Sequence, residues 1–174
     1  SNMYFEAFPT IPYTNVKYGN TKTVTNLLKR VAVREVIRDN TVNFLKYQIK
    51  SGETPEGLAF DVYDDAELHW VILLLNNIFD RYHQWPMNVN QFQSFLNDKY
   101  SNPNGVHHYE INQTSGNTTV TINIGSSNDD YASASVVTNF EYEERRQDEL
   151  RLINLINPGE VGKFVVDYNR LIKS

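Results

Sequence analysis

The sequence predicts an α+β chain, and three patterns carry that prediction. Apolar and polar residues alternate from Asn43 to Lys50, the period of a half-buried strand. Leu68 to Leu75 is apolar on nearly every side, as a buried helix is, and Val161, Phe164, Val165, Tyr168, Leu171 and Ile172 recur at helical spacing near the end of the chain. Its 174 residues and 20.2 kDa suit one domain, or one domain with a small appendage, burying about 68–70% of the unfolded surface.

Taken in order, Ser1-Asn2 ahead of Met3 reads as the remnant of a cleaved tag, and the natural start is expected at Met3. Pro9 and Pro12 impose extended geometry on a segment that carries Tyr4, Phe5, Phe8, Ile11 and Tyr13, so residues 1–42 are read as an aromatic arm and a lead-in. Val24 to Asn40 fits helix by its Val24, Leu27, Leu28, Val31 spacing and strand by its β-branched run, and both readings stay open. After the strand, Ser51-Gly52-Glu53 turns the chain, and Thr54-Pro55 caps a short helix through Leu58, Ala59, Val62 and Tyr63. Asp64 with Glu67 forms a capping box for the buried helix, which Asn76-Asn77 closes. Trp85-Pro86 turns into an amphipathic helix at Phe92, Phe95, Leu96 and Tyr100, completing a module over 43–100.

From 101 to 140 the chain is rich in Asn, Ser, Thr and Gly, with strand-like runs at His107–Ile111, Thr118–Ile124 and Ala134–Tyr142. Val120, Ile122 and Ile124 alternate as a buried strand face would, so a small antiparallel sheet is expected. Residues 141–174 start with the charged stretch Glu141 to Arg146. There Asn157-Pro158-Gly159-Glu160 reads as cap, first-turn proline and N3 glutamate of the last helix.

Composition excludes much. Apolar residues make up 40% and charged residues 21%, with no apolar run near the roughly 18–20 residues of a membrane span, so a soluble protein on an intracellular route is expected. Without cysteine there is no disulfide, thiolate metal site or cysteine nucleophile. A net charge of −5 argues against nucleic acid and anionic membrane as partners.

The strand-helix-helix order from Tyr47 to Pro86, with Gly52-Glu53-Thr54-Pro55 at its first turn and Asn76-Asn77 after its second helix, resembles a LysM module, a β-α-α-β fold placed at about Asn43 to Asn90. Pro55-Glu56-Gly57-Leu58-Ala59, Tyr63, Leu68-His69-Trp70-Val71-Ile72-Leu73-Leu74-Leu75-Asn76-Asn77, Asp80, Trp85-Pro86 and Lys99-Tyr100 are similar, in order, to the baseplate wedge subunits of contractile-tailed phages, the gene product 53 family. That likeness resumes from Arg146 to Ile156 and in the Phe164–Ile172 helix, leaving roughly Val106 to Asn139 as an insert. It implies a structural, non-enzymatic protein of the virion tail baseplate, assembled in the host cytoplasm and holding neighbouring wedges together in a six-fold ring. Tyr4, Phe5, Phe8, Ile11, Tyr13, Phe164 and Tyr168 are the residues expected at such an interface.

LysM modules commonly bind N-acetylglucosamine polymers, and the resemblance therefore admits a peptidoglycan contact as the alternative. Trp70, Leu74, Trp85 and Pro86 are read first as packing residues of the module; on the sugar alternative Glu53, Thr54, Asn77, Tyr82 and Trp85 would form the site, with Tyr82 or Trp85 as the aromatic platform. No catalytic or cofactor-binding residue is expected. His69 reads as a core or edge histidine, His83 as a loop contact. His107 and His108, as neighbours on a strand, point to opposite faces, so no metal site is expected. Asp64-Asp65, Asp129-Asp130 and Glu141–Glu144 read as turns, caps and solvated faces, and Lys29-Arg30 and Arg145-Arg146 as ion-pair partners.

Overall fold

Residues 29–37, 43–125, 128 and 131–173 are described by the structure, a computed structural model. In chain order they form helix α1 (29–37), strand β1 (Phe44–Gln48), helices α2 (Pro55–Tyr63), α3 (His69–Leu75), α4 (Arg81–Gln84) and α5 (Val89–Lys99), strands β2 (Val106–Ser115), β3 (Thr118–Ile124) and β4 (Ser135–Thr138), helix α6 (Asn139–Arg151), strand β5 (Leu152–Ile156) and helix α7 (Val161–Lys173). Helices and two small antiparallel sheets make the chain α+β, as predicted. It divides into two units, residues 1–85 with 152–174, and residues 86–151. The arm residues Tyr4 to Tyr13 lie outside the described residues, as do Val24 to Leu28 and Asp129-Asp130.

In the first unit the described part of the ambiguous segment is helical. Ala32, Val33 and Val36 are buried there, so packing has overridden the weak helix propensity of valine. Gly52, at φ +78, supplies the left-handed residue of the turn that ends β1. Thr54 Oγ1 accepts from Gly57 N at 3.1 Å and Pro55 sits in the first turn of α2, as the sequence anticipates. The capping box does not form where it was expected. Asp64, at φ +58, is already the left-handed end of α2, and the next helical turn is capped by Asp65, which accepts from Glu67 N at 2.9 Å.

α3 is apolar all round because two cores flank it. Val71 and Leu74 join Ala32, Val33 and Val36 of α1 and Val161, Phe164, Tyr168 and Ile172 of α7. Ile72 joins Ile49, Leu58, Ala59, Ile78, Trp85, Ile153 and Leu155. Glu160 is not the N3 glutamate of α7. The turn ahead of the helix takes up residues 158–160, and the Glu160 carboxylate reaches back to accept from Asn43 N at 2.7 Å and Asn43 Nδ2 at 2.9 Å.

β1 finds its partner far downstream, pairing antiparallel with β5 in the register Phe44 opposite Ile156 to Gln48 opposite Leu152. The other edge of β5 is closed by side chains. Asn76 Nδ2 donates to Asn154 O at 2.8 Å while its Oδ1 accepts from Asn154 N at 2.9 Å. Tyr63 Oη donates to Ile156 O at 2.9 Å and accepts from Ile156 N at 3.0 Å. Burial raises the Tyr63 pKa to about 12, so the phenol stays a donor over the whole physiological range.

The second unit holds the sheet β3-β2-β4, all antiparallel. β2 and β3 are joined by Gly116-Asn117, where Gly116 at φ +60 supplies the left-handed first residue of a tight hairpin turn. The run Ala134–Tyr142 proves half strand and half helix: β4 stops at Thr138, whose hydroxyl accepts from Glu141 N at 3.2 Å to cap α6. The predicted apolar face of β3 is buried only at its end, Ile124 being 9% exposed and Val120 52%. α5 opens with a full capping box between Asn88 and Gln91. Its Lys99 and the following Tyr100 both donate to Glu143 of α6, at 2.5 and 2.7 Å. Burial alone would raise the Glu143 pKa, but these two donors hold it below the usual value, so the carboxylate stays charged inside.

Asn76→Ala should destabilise the first unit by about 3 kcal/mol, since it leaves a backbone N–H and C=O of β5 without partners, and Tyr63→Phe by about 2 kcal/mol. Both tryptophans, Trp70 and Trp85, belong to this unit, so urea unfolding followed by their fluorescence reads the loss directly.

Candidate functional site

The sequence singles out two turns of the first unit, around Glu53-Thr54 and around Asn77 to Tyr82. In both, the polar groups are engaged within the chain. The Glu53 carboxylate accepts from Tyr47 Oη at 2.8 and 2.9 Å and from Lys50 N at 3.0 Å. Burial, followed by this hydrogen bond, pushes the Tyr47 pKa up to about 12. The Thr54 hydroxyl is the cap of α2. Asn77, left-handed at φ +56, accepts from Arg30 Nε at 3.1 Å.

Trp85 is not a platform. It is 7% exposed, packs in the core with Ile153, and donates from Nε1 to Glu53 O at 2.8 Å, pinning one turn to the other. Tyr82 is the opposite case, 84% exposed on α4. An exposed ring without converging polar donors has nothing with which to orient a sugar. The polar groups that would orient one are bonded elsewhere.

What these turns and the helices beside them present outward is a surface of mixed character. Arg81 of α4 grips Glu56 of α2 through two hydrogen bonds, at 2.6 and 2.8 Å. This guanidinium holds the Glu56 pKa down to about 2 against the opposing effect of burial. Phe60, 57% exposed, lies one helical turn beyond Glu56 on the same face of α2, and Tyr82 follows Arg81. His83 Nδ1 meets the Asp80 carboxylate at 2.6 Å, and His69 Nδ1 lies 3.0 Å from Ala66 O. Phe164 and Tyr168, expected at an interface, are each 3% exposed and complete the core that α7 shares with α1 and α3.

In the second unit the histidine pair departs from the sequence argument. A register shift between Val106 and His108 breaks the strict alternation of faces, and the two Nδ1 atoms come within 2.7 Å. His107 stacks on Tyr142 at 3.7 Å between centroids, while His108 turns its Nε2 to Glu110 at 2.7 Å. Arg145 closes the chain of contacts onto Glu110 at 2.8 and 3.0 Å. The pair and the carboxylate do not converge on one point. Among the described residues no group of three or more His, Asp or Glu side chains is arranged to hold a metal ion.

The chain matches the family described as base plate wedge protein 53 over residues 3–171. It is also 24% identical over 180 aligned positions to the baseplate wedge protein gp53 of Enterobacteria phage T4, covering 95% of this chain and 86% of that protein. The chain belongs to the base plate wedge protein 53 family. Membership makes it a structural protein of the phage tail baseplate and hence of the virion. Within this wedge protein no described helix is long and apolar enough to cross a membrane.

Two outcomes follow. Trp85→Ala should cost about 3–5 kcal/mol of first-unit stability, a core loss rather than a surface one, read as a lowered midpoint of thermal unfolding. The folded Glu56 pKa lies below the ordinary 4.5, so its pairing stabilises above that value and the contribution is lost as pH falls from about 4.5 towards about 2. Because both partners are 40% exposed, screening keeps the gain below about 1 kcal/mol. Glu56→Gln should therefore flatten the acid limb of the stability profile while changing little at pH 7.

Proposed function

We propose that this wedge protein works by contact alone, joining neighbouring wedges of a six-fold baseplate, and that its first unit is a LysM-like module turned to protein binding. The observation that carries this reading is the family match from residue 3 to residue 171, which takes in both units. The module reading is supported by the order β1, α2, α3, β5, two antiparallel strands enclosing two helices. On this reading its closing strand is supplied from beyond residues 86–151. The protein-binding reading is supported by the turns, whose polar groups are bonded internally while Phe60 and Tyr82 face solvent. Exposed aromatic rings beside a fixed Arg-carboxylate pair are the side chains from which protein interfaces draw their anchors.

The aromatic segment Tyr4 to Tyr13 acts in this proposal as a clamp laid on a neighbouring subunit. Its rings carry apolar area that binding would remove from water. Phe164 and Tyr168, both buried, serve this proposal only by holding α7 against α1 and α3.

Removal of residues 3–13 should leave the tryptophan-monitored unfolding transition in place and abolish recovery of other baseplate proteins in a tagged pull-down from a phage lysate. The double variant Phe60→Ser, Tyr82→Ser should weaken recovery without lowering stability. Unchanged recovery with both variants would sink the contact reading for these surfaces.

A further inference from the structure

Among the described residues four strand edges face away from their sheets, and three are blunted. The outer edge of β5 is closed by Asn76 and Tyr63. β1 carries Lys46 in its middle, and β4 has only four residues, faces a register shift and runs straight into α6. β3 has none of these devices. Its seven residues, Thr118-Thr119-Val120-Thr121-Ile122-Asn123-Ile124, include no charge and no proline and hold an unbroken register with β2. Among the described residues β3 pairs with β2 alone, and its first four residues are exposed. Such an edge offers alternate N–H and C=O groups over about 24 Å to any strand that fits.

The strand that fits is its own copy. Laid antiparallel about Thr121, β3 sets Val120 opposite Ile122 and Thr118 opposite Ile124 on one face. On the other it sets Thr119 opposite Asn123 and Thr121 opposite itself. Apolar positions meet apolar or β-branched ones and polar meet polar, with no charge to repel. A slip of one residue would set the two faces against each other, and a slip of two keeps the faces but shortens the paired run from seven residues to five, so pairing about Thr121 uses the strand most fully. Val120, 52% exposed in the single chain, gains a cross-strand neighbour.

We infer that two copies of this chain associate through β3, forming one six-stranded antiparallel sheet across a two-fold axis at Thr121. The contact is self-complementary, so it closes at two copies and does not propagate a ring. It is an association of the chain outside such a ring and does not rest on the wedge-contact proposal. An edge of this length buries less than the ~1,200 Å² of a standard interface, so the pairing is weak and concentration-dependent.

The test is cross-linking of the full chain, which has no native cysteine to confuse it. Under a mild oxidant Thr121→Cys is expected to give a covalent dimer. Thr119→Cys and Asn123→Cys should each stay monomeric alone and cross-link when mixed, and Thr114→Cys, on β2, should not cross-link. By sedimentation velocity, Thr121→Lys and Thr121→Glu should each be monomeric and dimerise on mixing, with far-ultraviolet circular dichroism confirming the native fold. Cross-linking at Thr114→Cys as fast as at Thr121→Cys, or no Thr121→Cys dimer at any concentration, overturns the inference.

Discussion

The grip of Asn76 and Tyr63 on β5 is the contact on which the first unit depends. A two-stranded sheet is marginal by itself in water, and β5 reaches β1 only after the whole of residues 86–151 has intervened. Pairing with β1 satisfies one edge of β5, and the four side-chain bonds satisfy the other, tying the strand to α2 and α3 at once. The apolar side chains then follow. Ile153 and Leu155 enter the core with Ile72 and Trp85, and Ile156 enters the core with Val71 and Phe164. Without the edge bonds, burying β5 between two cores would strand its outward N–H and C=O groups, at a cost that hydrophobic contact alone would have to offset.

That dependence explains how a long insertion is tolerated. In the first unit Trp85 and Ile153, on either side of the insertion, share a core. In the second unit Met87 N donates to the buried Gln147 side chain at 2.8 Å, holding its own two ends together. Each unit closes its own gap. The entropy of closing a loop grows slowly with length, about 0.6 kcal/mol per doubling, and a segment that folds with adjacent ends costs less than a flexible one.

Much of this was legible locally. Thr54-Pro55 acts through residues within a few positions, so the sequence displays both the signal and its target. The buried character of α3 was legible too, because a helix apolar all round has only one stable environment. The misplaced capping box and Glu160 went astray for one reason: each residue had a competing job a few atoms away that a spacing rule does not weigh. Leu152 to Ile156 read only as an apolar run, since a five-residue strand shows no partner. Asn76 looked like a helix end; its larger role depends on a strand 78 positions away. The contact between His107 and His108 is not legible in sequence, because it depends on a register shift that suspends alternation.

The same competition decides what the surface can do. Short polar side chains near turns suggest ligand binding until their partners are counted. Glu53, Thr54 and Asn77 prove to be structural, and so does the indole of Trp85. Their engagement ties up three acceptors and one indole donor that a small polar ligand would need, and it anchors the turns that lead into α2 and α4, the helices that carry Phe60 and Tyr82. Exposed rings on helices whose ends are held in this way lose less backbone entropy when a protein surface closes over them, which is the condition under which a modest apolar contact yields useful affinity. In the second unit Lys99 is likewise bonded to Glu143 and Arg145 to Glu110, while among the described residues nothing pairs with the uncharged outer edge of β3. Among the described residues, the polar groups of these turns are bonded within the chain while Phe60, Tyr82 and the outer edge of β3 face outward, the arrangement that the proposed protein contacts draw on.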